Sequence, residues 1–428
     1  MLDRTKRPDI LPLDSIDFSQ PERITMPNGV PLSLINAGKQ EVVRMDIIFK
    51  GGRFQQSYPL QALFTNRMLR EGSRTIGAVE IAERLDYYGA WLELSSSADY
   101  SFLTLYSLNR YFKPTLAIVE SLIKEPLFPQ KELSTVIDNN RQHFMVNSAK
   151  VDFVAQRTFL RSVFGAKHPM GYLTKVEDYA KISPEMLKEF YADYYHSGNC
   201  SIYLAGCISD EIIRSVESTF GHEAWGDASK FNKTIPFLCE PTHEKRIFVE
   251  RADALQSSIK MGMPMISRTH PDYLSMRVLM TLFGGYFGSR LMSNIREDKG
   301  YTYGISSGIL CYPDCGIFMI ATEADNEYAE PIVREVYAEM DKLRSIPVSE
   351  DELTMVRNYM LGDMCRTYEG PFSLAEAWIF IETSHLEADY FQRSLEAVTN
   401  ITAAEIKTLA EKYFHKEPII EVIAGKKV

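Results

Sequence analysis

Ile182-Ser-Pro-Glu-Met-Leu-Lys-Glu-Phe-Tyr-Ala-Asp-Tyr-Tyr-His196 returns 219 residues later as Ile401-Thr-Ala-Ala-Glu-Ile-Lys-Thr-Leu-Ala-Glu-Lys-Tyr-Phe-His415. At that constant offset Ile182 meets Ile401, Lys188 meets Lys407, Tyr194 meets Tyr413 and His196 meets His415. The offset continues into the next apolar run, where Ser201-Ile-Tyr-Leu-Ala-Gly206 meets Ile420-Glu-Val-Ile-Ala-Gly425. Both copies read as a capped helix leading into a buried strand, with Ser183 and Thr402 as the N-caps. A looser match, Pro129-Gln-Lys-Glu-Leu133 with Pro347-Val-Ser-Glu-Asp-Glu-Leu353, keeps the same order at an offset near 220. Two ordered matches at nearly one offset mark a duplicated domain.

The halves then run 1–222 and 244–428, joined by a linker over 223–243 that holds Pro236 and Pro241. Each half repeats one coarse order. A strand (41–49; 257–263) precedes a helix (59–71; 271–283). A strand pair follows, 91–96 with 100–107 and 301–310 with 315–322. Long helices come next, 111–125 with 130–147 and 326–345 with 350–366, and a last strand closes each half. Strands and helices are grouped rather than alternating. That predicts an α+β fold of two duplicated domains, each a mostly antiparallel sheet packed with helices.

The length of 428 residues agrees with two domains, because one core stops growing at about 250–300 residues. A net charge of −10 argues against nucleic acid as a partner, since phosphate binding needs a basic surface. No apolar stretch approaches membrane-span length, and Met1-Leu-Asp-Arg-Thr-Lys-Arg7 opens no signal-peptide run. The expectation is a cytoplasmic chain without a membrane span. Six cysteines, at 200, 207, 239, 311, 315 and 365, form no CxxC and read as scattered free thiols.

Gly51-Gly-Arg53 is followed by Leu63-Phe-Thr-Asn-Arg-Met-Leu-Arg-Glu-Gly-Ser73. This pattern resembles the pitrilysin, insulinase and mitochondrial processing peptidase family of zinc peptidases. There a His-x-x-Glu-His helix precedes Met-Leu-x-x-Gly-Thr, and Met68-Leu-Arg-Glu-Gly-Ser73 matches that tail. The resemblance extends through Ala166-Lys-His-Pro-Met-Gly171 and Asn199-Cys-Ser-Ile-Tyr-Leu-Ala-Gly206, and covers nearly the whole chain. Two histidines four apart share one helical face and reach one Zn²⁺, while the glutamate between them serves as general base. The matching positions here are Leu63, Asn66 and Arg67. Leucine cannot ligate, an asparagine amide cannot take a proton from water, and arginine is a fixed cation that repels Zn²⁺. The third ligand of the family, a glutamate in the long helix, falls near Gln142 or His143. The eight histidines include no pair four apart. No metal site is expected in this chain, and His196 with His415 reads as a shared structural feature of the repeat.

The second half keeps Leu282-Phe-Gly-Gly-Tyr-Phe-Gly-Ser-Arg-Leu-Met-Ser-Asn-Ile-Arg-Glu-Asp-Lys-Gly-Tyr-Thr-Tyr303. It is similar to the family's glycine stretch, Ser-Arg-Leu, and Arg-Glu-x-x-Gly-x-x-Tyr. The resemblance makes Arg296 and Tyr303 the pair that faces a zinc site across a chamber, in trans to a partner's zinc. A phenol aimed at a developing oxyanion stabilises the transition state more than the ground state, and an arginine holds a carbonyl or carboxylate with a forked donor set. Gly284, Gly285 and Gly288 read either as room for a peptide backbone or as a helix-to-helix turn. The resemblance implies a zinc-lacking subunit, inactive alone, that binds extended peptide beside a homologous zinc-bearing subunit, with a homodimer in isolation as a further expectation. The competing reading is a non-enzymatic scaffold or peptide-binding assembly subunit of the same fold. Gly304-Ile-Ser-Ser-Gly308 matches a nucleophile elbow in spacing only, because it reads as the middle of a strand and an elbow needs a strand-to-helix turn.

Overall fold

The computed structural model describes residues 3–6, 16, 18–227, 237–313 and 315–428. The middle of the expected linker, 228–236 with Pro236, lies outside the described residues.

The first sheet contains β1 (Glu22–Thr25), β2 (Pro31–Asn36), β3 (Val42–Phe49), β4 (Trp91–Ser96), β5 (Ser101–Leu108) and β6 (Cys200–Gly206), in the order β1-β2-β6-β3-β5-β4. The second contains β7 (Arg246–Glu250), β8 (Gln256–Met265), β9 (Thr302–Cys311), β10 (Gly316–Asp325) and β11 (Ile420–Gly425), in the order β7-β11-β8-β10-β9. Apart from β1, the second order repeats the first strand for strand. The directions repeat as well: β2–β6 and β7–β11 are the parallel pairs, and every other pair is antiparallel. The fold is therefore α+β, two copies of one sheet-plus-helix domain. β1, β2 and β7 are additions to the expected strands. β1 and β7 are short, largely exposed edge strands whose alternation is easily lost in a sequence, whereas β2 lies inside the sheet between β1 and β6 with Leu32, Ser33, Leu34 and Ile35 buried.

The repeated helices Pro184–Tyr194 and Ala403–Tyr413 start on the two expected caps. The Met186 amide donates to Ser183 Oγ at 3.4 Å and the Glu405 amide to Thr402 Oγ1 at 3.2 Å. Glu405 reaches back to the Thr402 amide at 2.7 Å, completing a capping box.

One face of each sheet packs on helices of its own half. The other face is covered by a helix lent from the opposite half. Val151–Phe164, from the first half, lays Ala155, Phe159, Val163 and Phe164 against Ile317, Ile420, Val422 and Ala424 of the second sheet. Pro371–Thr383, from the second half, lays Leu374, Ala375 and Trp378 against Ile35, Ile48, Tyr203 and Ala205 of the first. Both helices carry apolar residues over much of their circumference, as a helix held between two apolar surfaces must. Polar locks back up the exchange. On the first sheet Arg44 donates to Glu376 of the lent helix at 2.6 Å, and on the second Lys260 pairs with Asp152 of the lent helix at 2.6 Å.

Candidate functional site

The degenerate motif lies on the short helix Gln61–Met68. Leu63 is half-buried and lines a cavity of about 260 Å³ with Arg53, Met170, Tyr172 and Tyr312. Asn66 is buried, and its amide donates to the Phe102 carbonyl at 3.2 Å and to the Tyr195 hydroxyl at 3.4 Å. Burial pushes that phenol up to about 12, so it stays protonated. Asn66 thus pins its helix to β5. Arg67 donates to Asn140 on the long helix Gln130–Ser148. The position facing the degenerate motif is therefore Asn140, two to three residues before the expected Gln142 or His143, which are both exposed. Helical spacing carries the signal for this: Leu133 is fully buried, Ile137 is half-buried, and Asn140 continues their face at i+7.

A leucine, two amides and a guanidinium do not fit zinc, which takes thiolate, imidazole or carboxylate. Arg67 instead places a fixed positive charge where a dication would stand. Among the described residues no group of three or more His, Cys, Asp or Glu side chains is placed to hold a metal ion.

The Arg–Tyr pair lies elsewhere. Arg296 lies in the last turn of a stretch of wide π turns, Met292–Asp298, and Tyr303 is the second residue of β9. Such turns are rare and often accompany functional sites. Both side chains line one cavity of about 410 Å³, with Tyr301, Glu323, Asp325 and Tyr328 among its other walls. The Arg296 guanidinium lies 4.3 Å from the centre of the Phe287 ring and 3.8 Å from Glu297. Tyr303 is 94% exposed, and its hydroxyl has no hydrogen-bond partner among the described residues.

The cause of that exposure is local. Thr322 pairs with Ile305 but Ala324 pairs with Thr302, so β9 spends three steps where β10 spends two. The extra residue is a β-bulge at Tyr303-Gly304, and bulges re-aim side chains beside functional sites. Two buried threonines clamp it. Thr322 Oγ1 donates to the Gly304 carbonyl at 2.8 Å, Thr302 Oγ1 donates to the Glu323 carbonyl at 2.6 Å, and the Gly304 amide donates to Thr302 Oγ1 at 3.1 Å. Thr302, Thr322 and the acidic walls of the cavity escape a reading of the sequence, although the Thr-x-Gly at the start of a strand is the local signal for a bulge.

The three glycines divide. Gly284 is buried, and a Cβ there would stand 2.6 Å from Ser307 Oγ, so it lets the chain pass close to β9. Gly285 and Gly288 face solvent. Ser306 lies within β9 opposite Ala321, in extended backbone, so no nucleophile elbow forms around it.

β9 separates the two sites. Its first residues wall the Arg296–Tyr303 cavity, and Tyr312, just past its end, walls the cavity at Leu63. The nine residue steps from Tyr303 to Tyr312 span about 30 Å of strand. One scissile bond cannot touch both sites within one chain.

Residues 181–360 match a family model described as the peptidase M16 inactive domain. The chain is 24% identical over 353 residues to the uncharacterized zinc protease YmxG of Bacillus subtilis, covering 81% of this chain and 84% of that protein. It is 26% identical over 266 residues to the non-peptidase homolog YmxG of Helicobacter pylori, with 60% of each chain covered. The crystal structure of a peptidase M16 inactive domain from Pseudomonas fluorescens has the same fold, with a TM-score of 0.85 at 22% identity over 95% of this chain and 98% of that one.

Proposed function

We propose that this chain, whose residues 181–360 match a peptidase M16 inactive domain and which resembles the pitrilysin/insulinase peptidases over most of its length, is a non-catalytic homologue that serves as the zinc-lacking subunit of a two-subunit peptidase. The observation that carries this reading is the clamped bulge that turns Tyr303 outward beside Arg296. A phenol with no partner among the described residues, on a bulge held by two buried threonines, is preorganised to donate to something outside the chain.

In this reading a homologous partner subunit supplies the zinc and the attacking water. An extended peptide lies between the two subunits. Arg296 orients it through a backbone carbonyl or a carboxylate, and Tyr303 donates to the scissile carbonyl oxygen as negative charge develops there. The distance along β9 supports action in trans, because the pair has no metal motif of its own within reach. The setting in this reading is cytoplasmic.

The test is reconstitution. Alone, the chain binds no stoichiometric zinc and cleaves no peptide. Mixed with a homologue carrying His-x-x-Glu-His, it forms an active complex. Tyr303→Phe then lowers kcat by roughly 100-fold with KM little changed, the size expected for one oxyanion donor. Unchanged kcat in the Tyr303→Phe complex overturns the role. A complex that forms but cleaves nothing favours the scaffold reading instead.

A further inference from the structure

Two thiols away from both cavities' chemistry stand close to bonding distance. Cys239 lies in the segment that leads into the second half, and Cys315 lies at the turn between β9 and β10. Their Sγ atoms are 2.9 Å apart. A disulfide bond is about 2.05 Å long, so closure takes a shift of about 0.9 Å. Both residues are half-buried, within reach of a small oxidant.

Each sulfur is carried by anchored backbone. On one side, the Glu240 amide donates to the Phe164 carbonyl at 3.0 Å and the Thr242 amide to the Ser162 carbonyl at 2.8 Å. On the other, the Tyr312 amide donates to the Cys315 carbonyl at 2.8 Å, closing the hairpin turn. The nearest competitor in sequence is Cys311, on the far side of that turn. Burial pushes the Cys311 thiol up, and its sulfur is engaged by the Tyr273 hydroxyl, so it is a poor nucleophile.

We propose that Cys239 and Cys315 form a reversible disulfide by exchange with a low-molecular-weight disulfide. One cysteine thiolate attacks the small disulfide, forming a mixed disulfide and expelling one small thiolate. The second cysteine thiolate attacks the protein sulfur of that mixed disulfide and expels the other. Two protein thiols are oxidised, one small disulfide is reduced to two thiols, and the two cysteine protons pass to the leaving thiolates. The bond staples the entry segment of the second half to the β9–β10 hairpin. That hairpin end presents Tyr312, which packs its ring 5.1 Å from Phe164 and walls the cavity at Leu63. Oxidation therefore fixes one wall of that cavity to the joint between the halves.

The experiment treats the full chain with oxidised glutathione, alkylates the remaining thiols and maps the linked peptides by mass spectrometry. The expected product is one intramolecular link between Cys239 and Cys315, present in Cys311→Ser and absent in Cys239→Ser and in Cys315→Ser. Amide exchange over 237–243 and 309–318 slows on oxidation and recovers with dithiothreitol. A link through Cys311, an intermolecular link, or glutathione left on both cysteines overturns the pairing. A correct link with unchanged exchange in both segments overturns the staple.

Discussion

Asp46 keeps only 2% of its side chain exposed and is held by Arg44 at 2.8 and 3.0 Å and by Thr104 at 2.7 Å. Arg44 also reaches Glu376, whose side chain is 65% exposed. The two carboxylates are therefore unequal. Removing Asp46 leaves a buried guanidinium with one solvent-screened partner, so Asp46→Ala costs about 3–5 kcal/mol in urea unfolding. Glu376→Ala costs no more than about 1 kcal/mol, because that carboxylate is already hydrated. Equal losses would mean that the lent helix is held by charge and not by packing. At this scale the sequence was partly readable. That Leu63, Asn66 and Arg67 cannot serve as zinc ligands or as a general base follows from residue type alone. Asn140 does not, because its meaning depends on which face of a helix meets Arg67. Glycine type likewise cannot separate Gly284, packed on β9, from Gly285 and Gly288 in solvent.

Among the elements, β9 decides what the second half can do. An unbroken strand would alternate its side chains between the two faces of the sheet, and the bulge breaks that alternation at Tyr303. Thr322→Val removes the donor to the Gly304 carbonyl and loosens the bulge. The reconstituted complex then loses kcat by roughly 10-fold while KM holds, since a misaimed donor acts on the transition state. The same variant loses no more than about 1.5 kcal/mol of stability, the net worth of one hydrogen bond, because Gly304 is exposed and Thr302 Oγ1 lies 3.0 Å from the same carbonyl. A stability loss without a kcat change would make the bulge merely architectural. Regular elements were legible here because periodicity and caps act locally; Ser183 and Thr402 cap the helices they foretell. The bulge was not, because it exists only in the register between β9 and β10. The helices Val151–Phe164 and Pro371–Thr383 were also missed, since apolar residues on most sides blur a helical period.

For the whole molecule the duplication was visible, and the exchange of helices between its copies was not. Sequence offset tells which segments correspond; it does not tell which sheet a helix covers. The exchange predicts that neither half folds alone. Residues 1–222 expressed without the rest leave Ile35, Ile48, Tyr203 and Ala205 uncovered, and residues 244–428 leave Val422 and Ala424 uncovered. Each fragment aggregates or lacks near-ultraviolet dichroism, while co-expression restores a soluble complex on size exclusion. The intact chain unfolds in one cooperative transition by calorimetry. Two separated transitions, or a well-folded single fragment, would contradict the exchange.

The lent helix Pro371–Thr383 also sets a timetable during synthesis. The first sheet has all its strands once β6 leaves the ribosome, yet its cover lies beyond residue 370. At ~5–20 residues per second, translation of residues 207–370 takes on the order of 10–30 s. Throughout that interval a nascent chain carries an open apolar sheet face, long enough for collision with its neighbours on a polysome. A chaperone that covers this face on the ribosome would raise the soluble yield while leaving the final stability unchanged.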